Sequence, residues 1–142
     1  MYSVVKNSHS FIAFLSLIFL TISTIYAFYG YKAKIKFTSS SKLIFTVGLI
    51  VTHIQFLIGI LLYASSPLGI SNFSKEMMKN NISRFYALEH PTIMLIAVIL
   101  ITIGFSKTKR NAHDNIKFKL IAIFYSLGLV LIISRIPWNS WL

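Results

Sequence analysis

This chain predicts an all-α fold, an integral-membrane up-down four-helix bundle with both termini on the outer (periplasmic) side. Three observations predict it. Four apolar stretches, at about residues 10–31, 43–65, 88–106 and 118–136, are each about 19–23 residues long, enough at ~1.5 Å per residue to cross ~30 Å of hydrocarbon. Hydrophobic residues make up 56% of the 142 residues and charged residues 12%, against ~25% charged in soluble domains. The bases gather mainly between the stretches, and their distribution is uneven.

The first stretch follows a single base, Lys6, is too long for a signal-peptide core and lacks a small-residue cleavage site, so it is expected to stay as a helix. Tyr26, Tyr29 and Tyr31 mark its inner end. The second stretch stops at Ser65, Ser66, Pro67 and Gly69. In the outer loop that follows, Phe73 to Tyr86 is expected to form a short amphipathic helix on the membrane surface. Pro91 disfavours helical geometry at the residue before it, so the third helix should start or kink at His90. Tyr63, Tyr86, Trp138 and Trp141 complete an outer aromatic belt. No repeat, low-complexity tract or second unit interrupts residues 1–142, which read as one transmembrane domain.

Up-down passage places Lys32, Lys34, Lys36, Lys42, Lys107, Lys109, Arg110, Lys117 and Lys119 on one side. Lys6, Lys75, Lys79, Arg84 and Arg135 fall on the other. The positive-inside rule assigns the richer side to the cytoplasm. The net charge of +11 is therefore explained by topology and contact with the lipid bilayer, and nucleic acid is not an expected partner. The absence of cysteine excludes disulfides, zinc–thiolate sites, iron–sulfur clusters and covalent c-type haem. The three carboxylates, Glu76, Glu89 and Asp114, are spread over both faces, and no His-Glu-x-x-His or nucleotide-binding glycine motif is present. Hydrolytic chemistry is not expected.

Three histidines lie in or beside the apolar stretches. At ~100° per residue, His9 shares a face with Ala13, Ser16, Leu20, Ser23, Thr24 and Ala27, and His90 shares one with Met94, Ala97, Ile101 and Gly104. Small residues line helix contacts in membranes, so both imidazoles should look into the bundle. His53 sits at the edge of its contact stripe. His9 and His90 lie at the outer ends of their helices, whereas His53 lies roughly 15 Å deeper. An intramembrane ionisable group is a functional hypothesis by default, and inward imidazoles in a helix bundle suit a b-type haem or a metal ion. His9 with His90 is the natural axial pair, with His53 as an alternative ligand or tuning group. A bare-ion site would instead need His9, His90 and His53 to converge. Arg135, or else Arg84, is placed to pair with a propionate, and Glu89 to orient an imidazole. Each group also has an ordinary role: His9 interfacial, His53 bonding between helices, His90 capping, Met94 packing and both arginines snorkelling. His113, beside Asp114, reads as solvated.

Four segments carry a resemblance: Ser8-His9-Ser10-Phe11, Thr52-His53-Ile54-Gln55 with Phe56-Leu57-Ile58-Gly59, Tyr86-Ala87-Leu88-Glu89-His90-Pro91, and Ser134-Arg135-Ile136-Pro137-Trp138 ending in Trp141-Leu142. Together they resemble small bacterial four-helix integral-membrane proteins of the cytochrome b-like type. The resemblance implies an inner-membrane protein with one non-covalent haem b, His9, His53 and His90 as candidate ligands and Arg135 as propionate partner. The leading expectation is a component that passes electrons between quinone or a partner such as a respiratory membrane complex and the outer face of the membrane, rather than a stand-alone catalyst. The rival expectations are a non-redox membrane subunit or assembly factor and a three-histidine metal-ion site. A homodimer is compatible with any of them.

Overall fold

A computed structural model describes residues 1–141, and it is helical, with no strand among them. Four long helices form: α1 Tyr2–Ala33, α2 Ser39–Ser65, α3 Asn81–Thr108 and α4 Asp114–Ser134. A short α5, Trp138–Trp141, follows. All four long helices are long and apolar enough to cross a membrane. Large apolar side chains face outward on each, among them Ile25, Leu57, Ile99 and Val130. Such faces are compatible with lipid contact and unfavourable in water. By length and composition these are the four candidate spans of a multi-pass membrane protein.

The helices outrun the apolar stretches. Hydropathy measures the hydrocarbon span, whereas a helix continues until its terminal amides and carbonyls find other partners. α2 begins at Ser39 because Thr38 and Ser41 form a reciprocal capping box. α3 begins at Asn81 because the Asn80 side chain accepts from the amides of Ile82 and Ser83, both at 3.0 Å. After a 3₁₀ turn at Ile70–Asn72, the surface helix expected over Phe73 to Tyr86 is replaced by one further 3₁₀ turn, Met77–Lys79, and then by the start of α3. α4 stops at Ser134, two residues earlier than expected. Pro137 cannot donate to Ile133, and the Trp138 indole takes that carbonyl instead at 3.1 Å.

α1 packs on α2 and α4, and α3 packs on α4 and, less extensively, on α2. The buried stripes agree with the small-residue faces: Ser16, Leu20, Ser23, Thr24, Ala27 and Gly30 on α1, and Ala97, Ile101 and Gly104 on α3. Ser16 and Ser23 donate across to the carbonyls of Val51 and Ile44 on α2, which draws the two backbones together. The core fills only the lysine-rich end of the bundle. There Leu20, Phe45, Ile101, Phe105, Phe118, Ile121 and Tyr125 form one cluster, and the Tyr125 hydroxyl donates to the Phe45 carbonyl at 2.9 Å. Gly30 is required at this end because a Cβ there would enter the Phe118 ring. The opposite end, with both termini, is hollow.

Gly30→Val should force Phe118 out of its stack and destabilise the bundle by ~1–3 kcal/mol. Loss of helicity against denaturant fraction in mixed micelles measures it, and Gly30→Ala should cost less than Gly30→Val.

Candidate functional site

The hollow end encloses a cavity of about 740 Å³, within the ~300–1,000 Å³ range of small-molecule and cofactor sites. It runs from Leu20, Thr52 and Val98 at its floor to Tyr2, Lys6, Tyr86 and Trp141 near its mouth. Its walls are mostly apolar, and His9, Gln55 and His90 bring polar groups to it.

One residue in α3, Pro91, shapes the wall. In a regular α-helix the amide of residue 91 would bond to the Ala87 carbonyl, but Pro91 has no N–H and its ring crowds that carbonyl. The chain widens into a π turn over Phe85–Glu89, in which the His90 amide reaches back to the Phe85 carbonyl. The Ala87 carbonyl is rescued from α2 by the Tyr63 hydroxyl at 2.7 Å. The kink expected at His90–Pro91 thus takes the form of a π turn just before it. π turns of this kind are frequent at functional sites.

The turn delivers His90 to the end of α4, where its Nδ1 lies 2.6 Å from the Arg135 carbonyl. A carbonyl only accepts, so Nδ1 carries the hydrogen and a neutral ring keeps a bare lone pair on Nε2. Across the cavity stands His9 of α1, its ring centroid 6.4 Å from that of His90 and the two planes at 83°. Gly59 on α2 makes room for His9: a Cβ there would lie 3.1 Å from His9 Cε1.

His53 is not brought to this pair. Its Nε2 lies 2.9 Å from Thr102 Oγ1, and that hydroxyl spends its one hydrogen on the Val98 carbonyl at 2.7 Å. His53 must therefore donate from Nε2, so this nitrogen is closed to a metal while the bond lasts. Thr102 lies twelve residues beyond His90 on α3, which places His53 some 18 Å lower. Among the described residues no group of three or more His, Cys, Asp or Glu side chains is close enough to hold an ion. The three-histidine convergence is not what the fold builds, because α2 spends His53 on a bond to α3.

Arg135 reaches the site by its backbone rather than its guanidinium. Its side chain turns to Glu89, Nε to Oε1 at 3.7 Å, and to the Ser134 carbonyl at 2.9 Å. Arg84 donates from Nε to the other Glu89 oxygen at 2.8 Å. Glu89 therefore ties the π turn to the end of α4, and among the described residues it has no hydrogen bond to an imidazole. The base that does line the cavity is Lys6, which the sequence offered only as a loop charge. Gln55 is the second group missed: its amide nitrogen lies 3.2 Å from His9 Nδ1, a meeting of α1 and α2 that no spacing within one helix announces. The chain matches no protein-family model, no curated protein and no solved structure.

Tyr63→Phe should cost ~1–3 kcal/mol by leaving the Ala87 carbonyl without a donor. In the Pro91→Ala background, where residue 91 regains its amide, the same change should cost much less. A double-mutant cycle of unfolding in mixed micelles reads the coupling directly.

Proposed function

We propose that this protein is a b-type cytochrome-like, haem-binding protein of the bacterial inner membrane, with one non-covalent haem b held between His9 and His90. The observation that carries the reading is the pair itself: two imidazoles from different helices, 6.4 Å apart and nearly perpendicular, in the wall of a largely apolar cavity. The donor set fits the group. Two protein nitrogens leave a bare ion short of the four ligands that zinc takes, whereas a haem b, which brings ring nitrogens of its own, would be held by His9 and His90. Haem would supply a one-electron couple for exchange with a quinone or a respiratory complex. The chain's own residues hold and orient the ligands, exclude water and set the local charge. The Arg135 carbonyl fixes the His90 tautomer, and apolar walls such as Leu95, Val98 and Ile132 keep the slot dry. Lys6, three residues before His9, takes the propionate-pairing role that the sequence assigned to Arg135.

The charge asymmetry of the loops supports an orientation with the hollow end and both termini outside. The chain has no cysteine, so single-cysteine variants report sidedness without a background. Lys75→Cys should react with an impermeant maleimide in intact cells, and Lys36→Cys only after lysis. The reverse pattern would invert the topology.

The reduced-minus-oxidised absorption spectrum of the purified protein tests the haem. A sharp α-band and a Soret shift are expected in the wild type and in His53→Ala, and at least tenfold less haem per chain in His9→Ala and His90→Ala. A colourless protein from haem-replete cells would overturn the reading. Elemental analysis of that protein would then decide whether a metal ion replaces haem.

A further inference from the structure

Gln55 is half-buried beside His9, and its two amide atoms are treated unequally. The nitrogen lies 3.2 Å from His9 Nδ1 and 3.4 Å from Nε2. The oxygen is buried and has no hydrogen-bond partner among the described residues. A buried amide oxygen without a donor costs ~1–3 kcal/mol, and buried polar groups without partners are rare. Gly59, one turn along α2, meets the same edge of the ring, its missing Cβ lying 3.1 Å from Cε1 and 3.7 Å from Nδ1. α2 thus meets His9 along the edge that carries Nδ1, Cε1 and Nε2, with Nδ1 the nearer nitrogen.

The direction of the amide decides the chemistry of the ring. A neutral imidazole carries one hydrogen. With the amide nitrogen toward Nδ1, Gln55 donates and the ring hydrogen is confined to Nε2, so both nitrogens are engaged and neither can bind a metal. A half-turn about the last torsion of Gln55 exchanges its oxygen and nitrogen. The oxygen then accepts from Nδ1–H across the same 3.2 Å, the amide nitrogen takes the buried place the oxygen held, and Nε2 is left with a bare lone pair. In that state His9 matches His90, whose Nδ1 hydrogen is held by the Arg135 carbonyl.

We propose that Gln55 is the positioning residue of His9, its amide oxygen holding the Nδ1 hydrogen so that Nε2 is presented to a ligand in the cavity. The consequence for haem rests on the function proposed above; the tautomer does not. An amide acceptor keeps the imidazole less basic than a carboxylate would, so Gln55 also holds the potential of a bound haem higher than Glu would.

The first test needs no haem. In apo protein with ¹⁵N-labelled histidine in lipid nanodiscs, the ring resonances that disappear in His9→Ala report the His9 tautomer. The wild type should show hydrogen on Nδ1, Gln55→Glu should keep it there, and Gln55→Leu should move it wholly or partly to Nε2. In the haem-loaded protein, Gln55→Leu should weaken haem retention by about 10–100-fold, and Gln55→Glu should retain haem at a lower midpoint potential. A wild-type His9 with its hydrogen on Nε2, or a tautomer indifferent to both variants, would overturn the proposal. A protein that takes up no haem but shows the tautomer response would sink the cytochrome reading and leave the role of Gln55 standing.

Discussion

A single missing hydrogen organises the hollow half of this bundle. Pro91 removes the donor that the Ala87 carbonyl would have used, and in a bilayer no water stands ready to replace it. The Tyr63 hydroxyl fills the gap, which binds α2 to α3 at the level where their packing is otherwise thin. The same defect widens the helix into a π turn and rotates His90 onto the end of α4. Glu89, inside the turn, holds Arg84 and faces Arg135. The carbonyl that receives His90 belongs to Arg135 as well. One proline thus couples three helix ends to the orientation of one imidazole.

The bundle divides its two ends between stability and site. At the lysine-rich end aromatic rings stack, with Phe37, Phe45, Phe118 and Tyr26 within 6.0 Å of one another in successive pairs. Glycines let backbones approach side chains there, as at Gly30 against Phe118. At the other end about 740 Å³ stays open. A well-packed interior has few voids larger than a water molecule, whereas this space is open at its mouth. The closed end anchors the four helices while the open end keeps its shape.

Pro137, Ser140 and Trp141 also belong to the site. Pro137 ends the helical ladder, and the chain folds back over the cavity mouth. Trp141 packs on Phe14 of α1 with ring centroids 4.3 Å apart, and Ser140 meets the Tyr86 hydroxyl at 2.7 Å. These contacts cross from α5 to α1 and to the π turn. The mouth is thereby framed by the same segments that position the histidines.

Composition and periodicity alone determined the class, the number of spans and the inward stripes of α1 and α3. A bilayer allows few folds, and small residues at helical spacing mark the contacts. Sequence also paired His9 with His90, since equal depth follows from counting residues from the helix ends. It did not reveal where the helices stop, because caps such as Thr38 with Ser41 and Asn80 act through polar atoms that hydropathy ignores. Only the tertiary structure decided the partners of each polar group: Thr102 for His53, a backbone carbonyl for His90, Gln55 for His9, and Glu89 rather than a cavity ligand for Arg135. These are meetings between helices distant in sequence, set by rotation and register across the bundle. One helix's periodicity carries no record of what its neighbour places opposite.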